Sequence, residues 1–339
     1  MVARLTCVGG FGTFRETASF TADDSDEIVA AAGGHSITLV ACRDAGVVGY
    51  GTAFHGELGP NGLSLRLTTL SIVRVSCGGS FVVAASSDGA CYAWGQGSTE
   101  PIKLPEITGA VDVAAGEGHA LARTADNVVF SWGNNQYGQC GIGVCSPRVD
   151  VPTALAEHWK SVAAGAQHSA MIATNGDLYT FGWGQYHQLG LGSTADQPSP
   201  ACVTSLQGVG DYVRGVFTGL RQVACGAWHT VALTTTGDMY TWGWGQHGQL
   251  GGSHLASHIF PTLLSLHDED ATFVSIACGT RHTAGLTDDG RVHLWGMHTP
   301  SHDLVAGKSA DANTSHTIVA APGCTAIAAG AYHTLLLTP

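Results

Sequence analysis

A chain of 339 residues with 44% apolar side chains can bury a sizeable core, which excludes a disordered polymer. Its charged residues reach only 12%, and 14 basic against 26 acidic residues leave a net charge of −12, with the basic residues scattered singly. Without clustered Lys and Arg to neutralise phosphates, duplex nucleic acid is not an expected partner, although acidic patches can attract a basic protein surface.

From the N-terminus, MVARLTCVGGFGTF has no apolar h-region and no small-residue cleavage site, and no apolar run in the chain approaches the ~18 residues of a membrane span. The expected location is therefore cytoplasmic, nuclear or both, with no membrane partner. Within this segment LTCVGGFG (5–12) reads as a strand ending at Val8-Gly9, and the acidic stretch TADDSDE (21–27) reads as a solvated loop.

A repeat then takes over. Its start reads AAAGGH (30–35), SCGGSF (76–81), AAGEGH (114–119), AAGAQH (163–168), ACGAWH (224–229), ACGTRH (277–282) and AAGAYH (328–333). In the first copy this alignment puts Ala32 in the glycine column and His35 in the histidine column; in the second, Phe81 takes the histidine position. Eight residues after that column lies a turn residue (Gly89, Asn127, Gly176, Gly237, Gly290). Five further on lies an aromatic followed by Gly (Trp94, Trp132, Phe181, Trp242, Trp295), while the first copy reaches Tyr50 by a longer turn through Gly46. Between these marks, stretches such as VALTTTGDMYTWG (231–243) read as antiparallel hairpins. Gly-rich turns follow: NQYGQCG (135–141), GQYHQLG (184–190) and GQHGQLG (245–251).

The seventh copy stops at Pro339, before its turn and aromatic-Gly strand. The missing half stands at the other end of the chain, with Val8-Gly9 in the Trp-Gly column. The reading is one all-β domain over 1–339: a seven-bladed β-propeller whose ring is closed by pairing the N-terminal strand with the C-terminal repeat.

The signature A-A/C-G-x-x-H-S/T, then Y-x-W-G, then G-Q-L-G, clearest over 162–251, resembles the regulator-of-chromosome-condensation repeat family. That resemblance implies a seven-bladed propeller. It spans members that exchange nucleotide on the small GTPase Ran, dock on nucleosomes, serve chromatin enzymes, ubiquitin ligases or trafficking proteins, or sense ultraviolet light. The repeat identifies the fold and not the task. The light-sensing branch uses a Gly-Trp-Arg-His-Thr stretch in several blades; here Trp228 and Arg281 stand in separate copies, GAWHT and GTRHT, which argues against photoreception.

The histidines His35, His119, His168, His229, His282 and His333 recur once per blade, so ring symmetry keeps them apart and a hydrogen-bonding role within each blade is expected rather than a metal ring. Cys77, Cys225 and Cys278 share a column with Ala115, Ala164 and Ala329 and read as small apolar packing residues. The ten cysteines contain no Cys-x-x-Cys pair, so no zinc site is expected; their even count allows disulfides, but without a secretory signal reduced thiols are expected. No nucleophile–base set, phosphate loop or His-Glu-x-x-His is present, and no cofactor or catalytic residue is expected.

The departures from the repeat are the candidate partner-binding segments. The widest spacing, between His168 and His229, holds QGVGDYVRGVFTGLRQ (207–222), in which Asp211, Tyr212, Arg214, Phe217 and Arg221 combine aromatic and arginine residues suited to a protein contact. A solvated connector with a short helical turn is the plainer reading of the same segment, and HDED (267–270) is a second acidic loop. The expected function is a noncatalytic, monomeric protein-interaction scaffold, with guanine-nucleotide exchange on a small Ran-like GTPase as the alternative. A further alternative is partnership with a chromatin-modifying enzyme or histone. The basic N-terminal tail of the family's founding member has no counterpart beyond Arg4.

Overall fold

The structure is a computed structural model; it describes residues 4–8, 20–21, 27–43, 46–59, 64–67, 70–156, 158–213, 216–251, 255–264, 272–297, 316–320 and 323–338. Seven four-stranded antiparallel sheets form among them, each a meander running from an inner to an outer strand. Blade 1 comprises Ile28–Gly33, Ile37–Cys42, Gly46–Gly51 and Ser64–Leu67. Blade 2 comprises Ile72–Cys77, Phe81–Ser86, Cys91–Gly95 and Ser98–Lys103. Blade 3 comprises Ala110–Ala115, His119–Thr124, Val129–Asn135 and Ser146–Leu155. Blade 4 comprises Trp159–Ala164, His168–Ala173, Leu178–Gly182 and Gln197–Cys202.

Blade 5 comprises Leu220–Cys225, His229–Thr234, Met239–Gly243 and His258–Leu263. Blade 6 comprises Phe273–Cys278, His282–Thr287, Arg291–Gly296 and His316–Ala320. Blade 7 takes Ala326–Ala329 and Thr334–Thr338 from the C-terminus and Arg4–Val8 and Phe20–Thr21 from the N-terminus. Arg4 pairs with Thr338 and Val8 with Thr334, so Val8 stands opposite the same column that Trp132 faces through Ala120, as its place in the repeat requires.

The seven-bladed all-β architecture is thus the one the repeat implies. The turn residues Gly89, Asn127, Gly176, Gly237 and Gly290 all have positive φ, between 64° and 95°. That left-handed conformation is what a tight hairpin demands and what Gly and Asn tolerate.

The core is divided among the blade interfaces. A second strand such as His229–Thr234 is buried at every position. Its period of two sends Ala232 against Leu178 and Leu206 on the blade 4 side, and Val231 and Leu233 against Phe273 and Ile276 of blade 6. One such cluster lies at each of the seven interfaces, including Leu5, Cys7 and Leu335 of blade 7 against Ile28, Val40 and Cys42 of blade 1. Both faces of every sheet are apolar for this reason, which accounts for the low charge content.

The first repeat copy is shifted by two residues from its sequence alignment. Gly34 N–H bonds to Ile37 O as Gly116 N–H bonds to His119 O, and Ile37 pairs with Gly51 as His119 pairs with Gly133. Ile37, not His35, therefore occupies the histidine column, and Gly34, not Ala32, the glycine column. His35 is exposed on the turn, its ring 6.0 Å from Tyr332. The two adjacent glycines and a nearby histidine mimic the motif two residues early; measured from Ile37, Tyr50 falls at the same distance as Trp132 from His119.

Among its described residues the segment 207–222 contains no helical turn, unlike the plainer reading of a solvated connector with one. A single 3-10 turn, Thr204–Leu206, precedes it, and Asp211–Val213 pairs with Val216–Thr218 as a two-stranded hairpin.

Candidate functional site

In each meander the first-to-second and third-to-fourth connections lie at one end, and the second-to-third turns and blade-to-blade connections at the other. The first end is the more elaborate chemically. At its centre the glycine column surrounds an axial opening of about 290 Å³, lined also by Cys77, Cys225 and Cys278. Protein around these thiols pushes Cys278 up to about 12 and raises Cys77 and Cys225 as well, so they are poor nucleophiles at neutral pH.

Behind the glycines, the column histidines join neighbouring blades. His119 Nε2 lies 2.8 Å from Ser169 Oγ, His168 Nε2 2.9 Å from Thr230 Oγ1, and His229 Nε2 3.0 Å from Thr283 Oγ1. His282 meets Thr334 Oγ1 at 3.1 Å and His333 meets Thr38 Oγ1 at 3.2 Å, the last across the ring closure. The bonds run between blades and not within them, as the sequence reading had it, because each imidazole points out of its own sheet. Ser169, Thr230 and Thr283 spend their hydroxyl protons on the carbonyls of Gln139, Gln188 and Gln249, each at 2.8 Å, so they accept from Nε2–H. Burial pushes His119, His229 and His333 down to about 4 and His168 to about 3, with the charges of His119 and His229 adding to burial for the last. These are neutral structural clasps.

Outside the clasps, blades 4 and 5 extend the aromatic-Gly motif by a further Trp, giving FGWG (181–184) and WGWG (242–245). Gly182 and Gly243, both at φ 96°, turn the chain back, and Trp183 N–H and Trp244 N–H bond to Gln167 O and Trp228 O at 2.9 and 2.8 Å. The loop tips are fixed from beneath: Tyr137, Tyr186 and His247 each donate their N–H to the buried Gln two residues on, at 2.9 Å.

The result is a continuous aromatic surface across blades 3 to 6. Ring centroids are 5.7 Å apart for Tyr137–Trp183, 5.3 Å for Trp183–Tyr186, 5.7 Å for Tyr186–Trp228 and 4.9 Å for Trp228–Trp244. The Arg281 guanidinium lies 5.9 Å from the Trp228 ring centroid and 5.8 Å from that of Trp244, within cation–π range. His247, 4.8 Å from Trp244, is held below its ordinary value by burial and by the Arg281 charge. Trp228 and Arg281, separated by 53 residues in sequence, meet because blades 5 and 6 are neighbours. Treating each tryptophan within its own copy missed this; the additional Trp after the Gly in two adjacent copies was the available signal.

The predicted segment lies at the opposite end, in the connection from blade 4 to blade 5. Tyr212, 70% exposed, and Phe217 bring their rings to 5.6 Å, and Thr218 Oγ1 donates to Asp211 O at 2.8 Å. Arg221 is not part of this pair: it belongs to the inner strand of blade 5 and donates to Val274 O of blade 6 at 2.5 Å. Arg214 lies outside the described residues, as do the acidic loop 267–270 and most of 21–27. Among the described residues no group of three His, Cys, Asp or Glu converges on a metal position, and no helix is long and apolar enough to cross a membrane.

Comparison with known proteins agrees with this architecture. Over 299 residues the chain is 36% identical to the Ultraviolet-B receptor UVR8 of Arabidopsis thaliana, covering 80% of this chain and 65% of that protein. It is 29% identical over 295 residues to the probable E3 ubiquitin-protein ligase HERC6 of Homo sapiens, covering 80% of this chain but 23% of that protein. The chain thus spans less than two thirds of the length of either relative. Human WBSCR16 superposes with a TM-score of 0.80 at 21% identity, covering 99% of this chain and 98% of that one. Prp20p of Saccharomyces cerevisiae also gives 0.80, at 17% identity, covering 99% and 91%. At such identities the likeness establishes the fold. The RCC1-like domain matches residues 12–265 and the Regulator of chromosome condensation (RCC1) repeat matches residues 273–299, so the chain belongs to the RCC1-like domain family.

Proposed function

We propose that this chain is a protein-interaction scaffold without covalent chemistry of its own, and that its contact face is the aromatic surface of blades 3 to 6. The observation that supports this most is the patch formed by Trp183, Tyr186, Trp228, Trp244 and Arg281, whose Trp183, Tyr186 and Trp244 stand on loops locked by buried glutamines. Aromatic and arginine side chains that are already ordered lose little entropy on binding, and these residue types dominate protein-contact energetics. Affinity purification from the source cells with the wild-type chain and with Tyr186→Ala/Arg281→Ala tests it. A stoichiometric partner should be retained by the wild type and by Tyr212→Ala and lost by the double variant; retention by the double variant would remove this face from the proposal.

Nucleotide exchange is the second reading. Its support is the likeness to Prp20p, a protein whose crystal structure was described with its binding to Gsp1p and histones. An exchange factor acts by binding energy alone, stabilising the nucleotide-free GTPase. Release of labelled GDP from Ran should accelerate at micromolar concentrations of this chain; an unchanged rate would discard the reading. A shift of reconstituted nucleosomes under salt titration tests the histone alternative in the same preparation.

A further inference from the structure

In blades 1, 3, 4 and 5 the connection from third to fourth strand drops a four-residue segment into the cleft shared with the next blade: GELG (56–59), GQCG (138–141), HQLG (187–190) and GQLG (248–251). The third residue of each, Leu58, Cys140, Leu189 or Leu250, is buried. The carbonyl before it is taken by the next blade. Glu57 O accepts from Trp94 Nε1 at 3.0 Å, and Gln188 O accepts from Trp242 Nε1 at 2.9 Å and Thr230 Oγ1 at 2.8 Å. In blades 3, 4 and 5 the carbonyl of the third residue is taken by its own blade: Ser131 Oγ to Cys140 O at 2.6 Å, Thr180 Oγ1 to Leu189 O at 2.7 Å and Thr241 Oγ1 to Leu250 O at 2.8 Å.

Blade 2 lacks the segment. Its third strand ends at Gly95 and its fourth begins at Ser98. In its place is a cavity of about 190 Å³ between blades 2 and 3. Its walls are the positions that hold the segment elsewhere: Ala93 where blades 4 and 5 have Thr180 and Thr241, Ala120 where Thr230 and Thr283 stand, and Trp132 in the column of Trp242. Phe81, Trp94, Ile102 and Leu104 complete the apolar lining with His119 beside them, and Trp132 Nε1 bonds to no described residue. At the mouth, Arg148 gives Nε to Asp150 Oδ1 at 3.0 Å and reaches Gln96 Oε1 through Nη2 at 3.5 Å, leaving Nη1 unused.

We infer that the cleft between blades 2 and 3 is a docking pocket for a leucine-bearing turn of a partner protein, of the type Gly-Glu-Leu-Gly, which supplies from outside the segment that blade 2 lacks. The filled clefts state what fits: a leucine inward in three of the four, and a backbone carbonyl for the tryptophan indole where Trp94 and Trp242 stand. The hydroxyls that tie the segment down in blades 4 and 5 are alanines here, so the pocket retains its occupant by apolar contact and one indole hydrogen bond, as a reversible site would. Arg148 at the mouth is already ion-paired with Asp150, so charge does not select the residue before the leucine; glutamate is taken from GELG, the segment that blade 1 seats without hydroxyl ties. The pocket is separate from the aromatic face, and its test needs no native partner, so either proposal can fail without the other.

The test is an amide and indole ¹H–¹⁵N titration of the full chain with a head-to-tail cyclic peptide containing Gly-Glu-Leu-Gly, cyclised to reduce the ordering cost. The Trp132 indole signal, assigned by its loss in Trp132→Phe, should shift downfield and saturate. Replacing the peptide's leucine by aspartate should weaken binding at least tenfold, and Trp132→Phe about three- to tenfold, the effect of one lost hydrogen bond. Ala93→Leu, which fills the pocket from its own wall, should abolish binding; Ile102→Asp, on the exposed rim, provides the same reading if Ala93→Leu fails to fold. An unmoved Trp132 signal at millimolar peptide, or equal binding of the aspartate peptide, would overturn the proposal. So would a concentration-dependent shift of that signal without peptide, which would assign the pocket to a second copy of the chain.

Discussion

Blades 4 and 5 meet through a filled and polar-clasped interface; blades 2 and 3 meet through an unfilled and apolar one. In the first, His168 donates to Thr230, Thr230 and Trp242 donate to Gln188 O, and Leu189 fills the remaining space. In the second, the same four positions are Phe81, Ala120, Trp132 and a deletion. Each substitution is matched by its partner: losing the histidine coincides with losing the hydroxyl that would have received its proton, and losing the loop with losing both hydroxyls that would have held it. The interface between blades 1 and 2 keeps the histidine–hydroxyl half of this rule, with Ile37 and Val82 in those columns, but retains its GELG loop with neither hydroxyl, through Leu58 burial and the Trp94 indole on Glu57 O. A buried donor without an acceptor costs roughly 1–3 kcal/mol, so a column histidine and the hydroxyl that receives its proton persist or disappear together.

Acid should distinguish the two kinds of interface most strongly. The column histidines titrate lower in the folded chain, about 4 for His119, His229 and His333 and about 3 for His168, than the usual ~6.5 of the unfolded state. Between those values the unfolded chain binds more protons, so stability rises with pH and is lost as pH falls from about 6.5 towards 4. Going from pH 7 to pH 5.5 should remove roughly 1 kcal/mol per histidine, on the order of 4–5 kcal/mol for the four. Chemical denaturation across that range measures the sum. Amide exchange should locate it, with 168–173 losing protection before 81–86; equal loss in both strands would break the comparison.

Within the filled interface, Leu189→Ala should cost about 2–5 kcal/mol by opening a cavity, and Thr230→Val about 1–3 kcal/mol by stranding the His168 proton; denaturant midpoints measure both. The reciprocal change sharpens the rule. Phe81→His and Ala120→Thr should each destabilise the blade 2–3 interface, and the double variant should be more stable than the sum by roughly 0.5–3 kcal/mol; strict additivity would show that the clasp is not a transferable unit. The smallest effect belongs to the opposite end of the ring, where Tyr212→Ala should stay within about 0.5 kcal/mol of wild type in thermal or denaturant unfolding.

Much of the ring was legible along the chain. Positive-φ turns at Gly89, Asn127 and Gly237, the aromatic-Gly strand ends and the placement of Val8 opposite Thr334 all follow from pairing within a blade, where partners are near in sequence or complete a known repeat. The displaced copy at His35 shows the limit. A motif of Ala, Gly and His can be matched two residues early, and only the backbone bond from Gly34 to Ile37 decides the register.

What lies between blades was not legible in one copy. The bond from His168 to Thr230 joins residues 62 apart, and the contact of Arg281 with Trp228 and Trp244 depends on loop tips folding back over neighbouring sheets. The periodic sequence by itself determined how many blades form, where the second-to-third-strand hairpins turn and how the ring closes, because those features rest on local hydrogen bonding and alternation. Only the tertiary structure decided which columns face one another, which clefts are filled and which aromatic rings share a surface, because burial and hydrogen-bond satisfaction there are settled jointly by two blades.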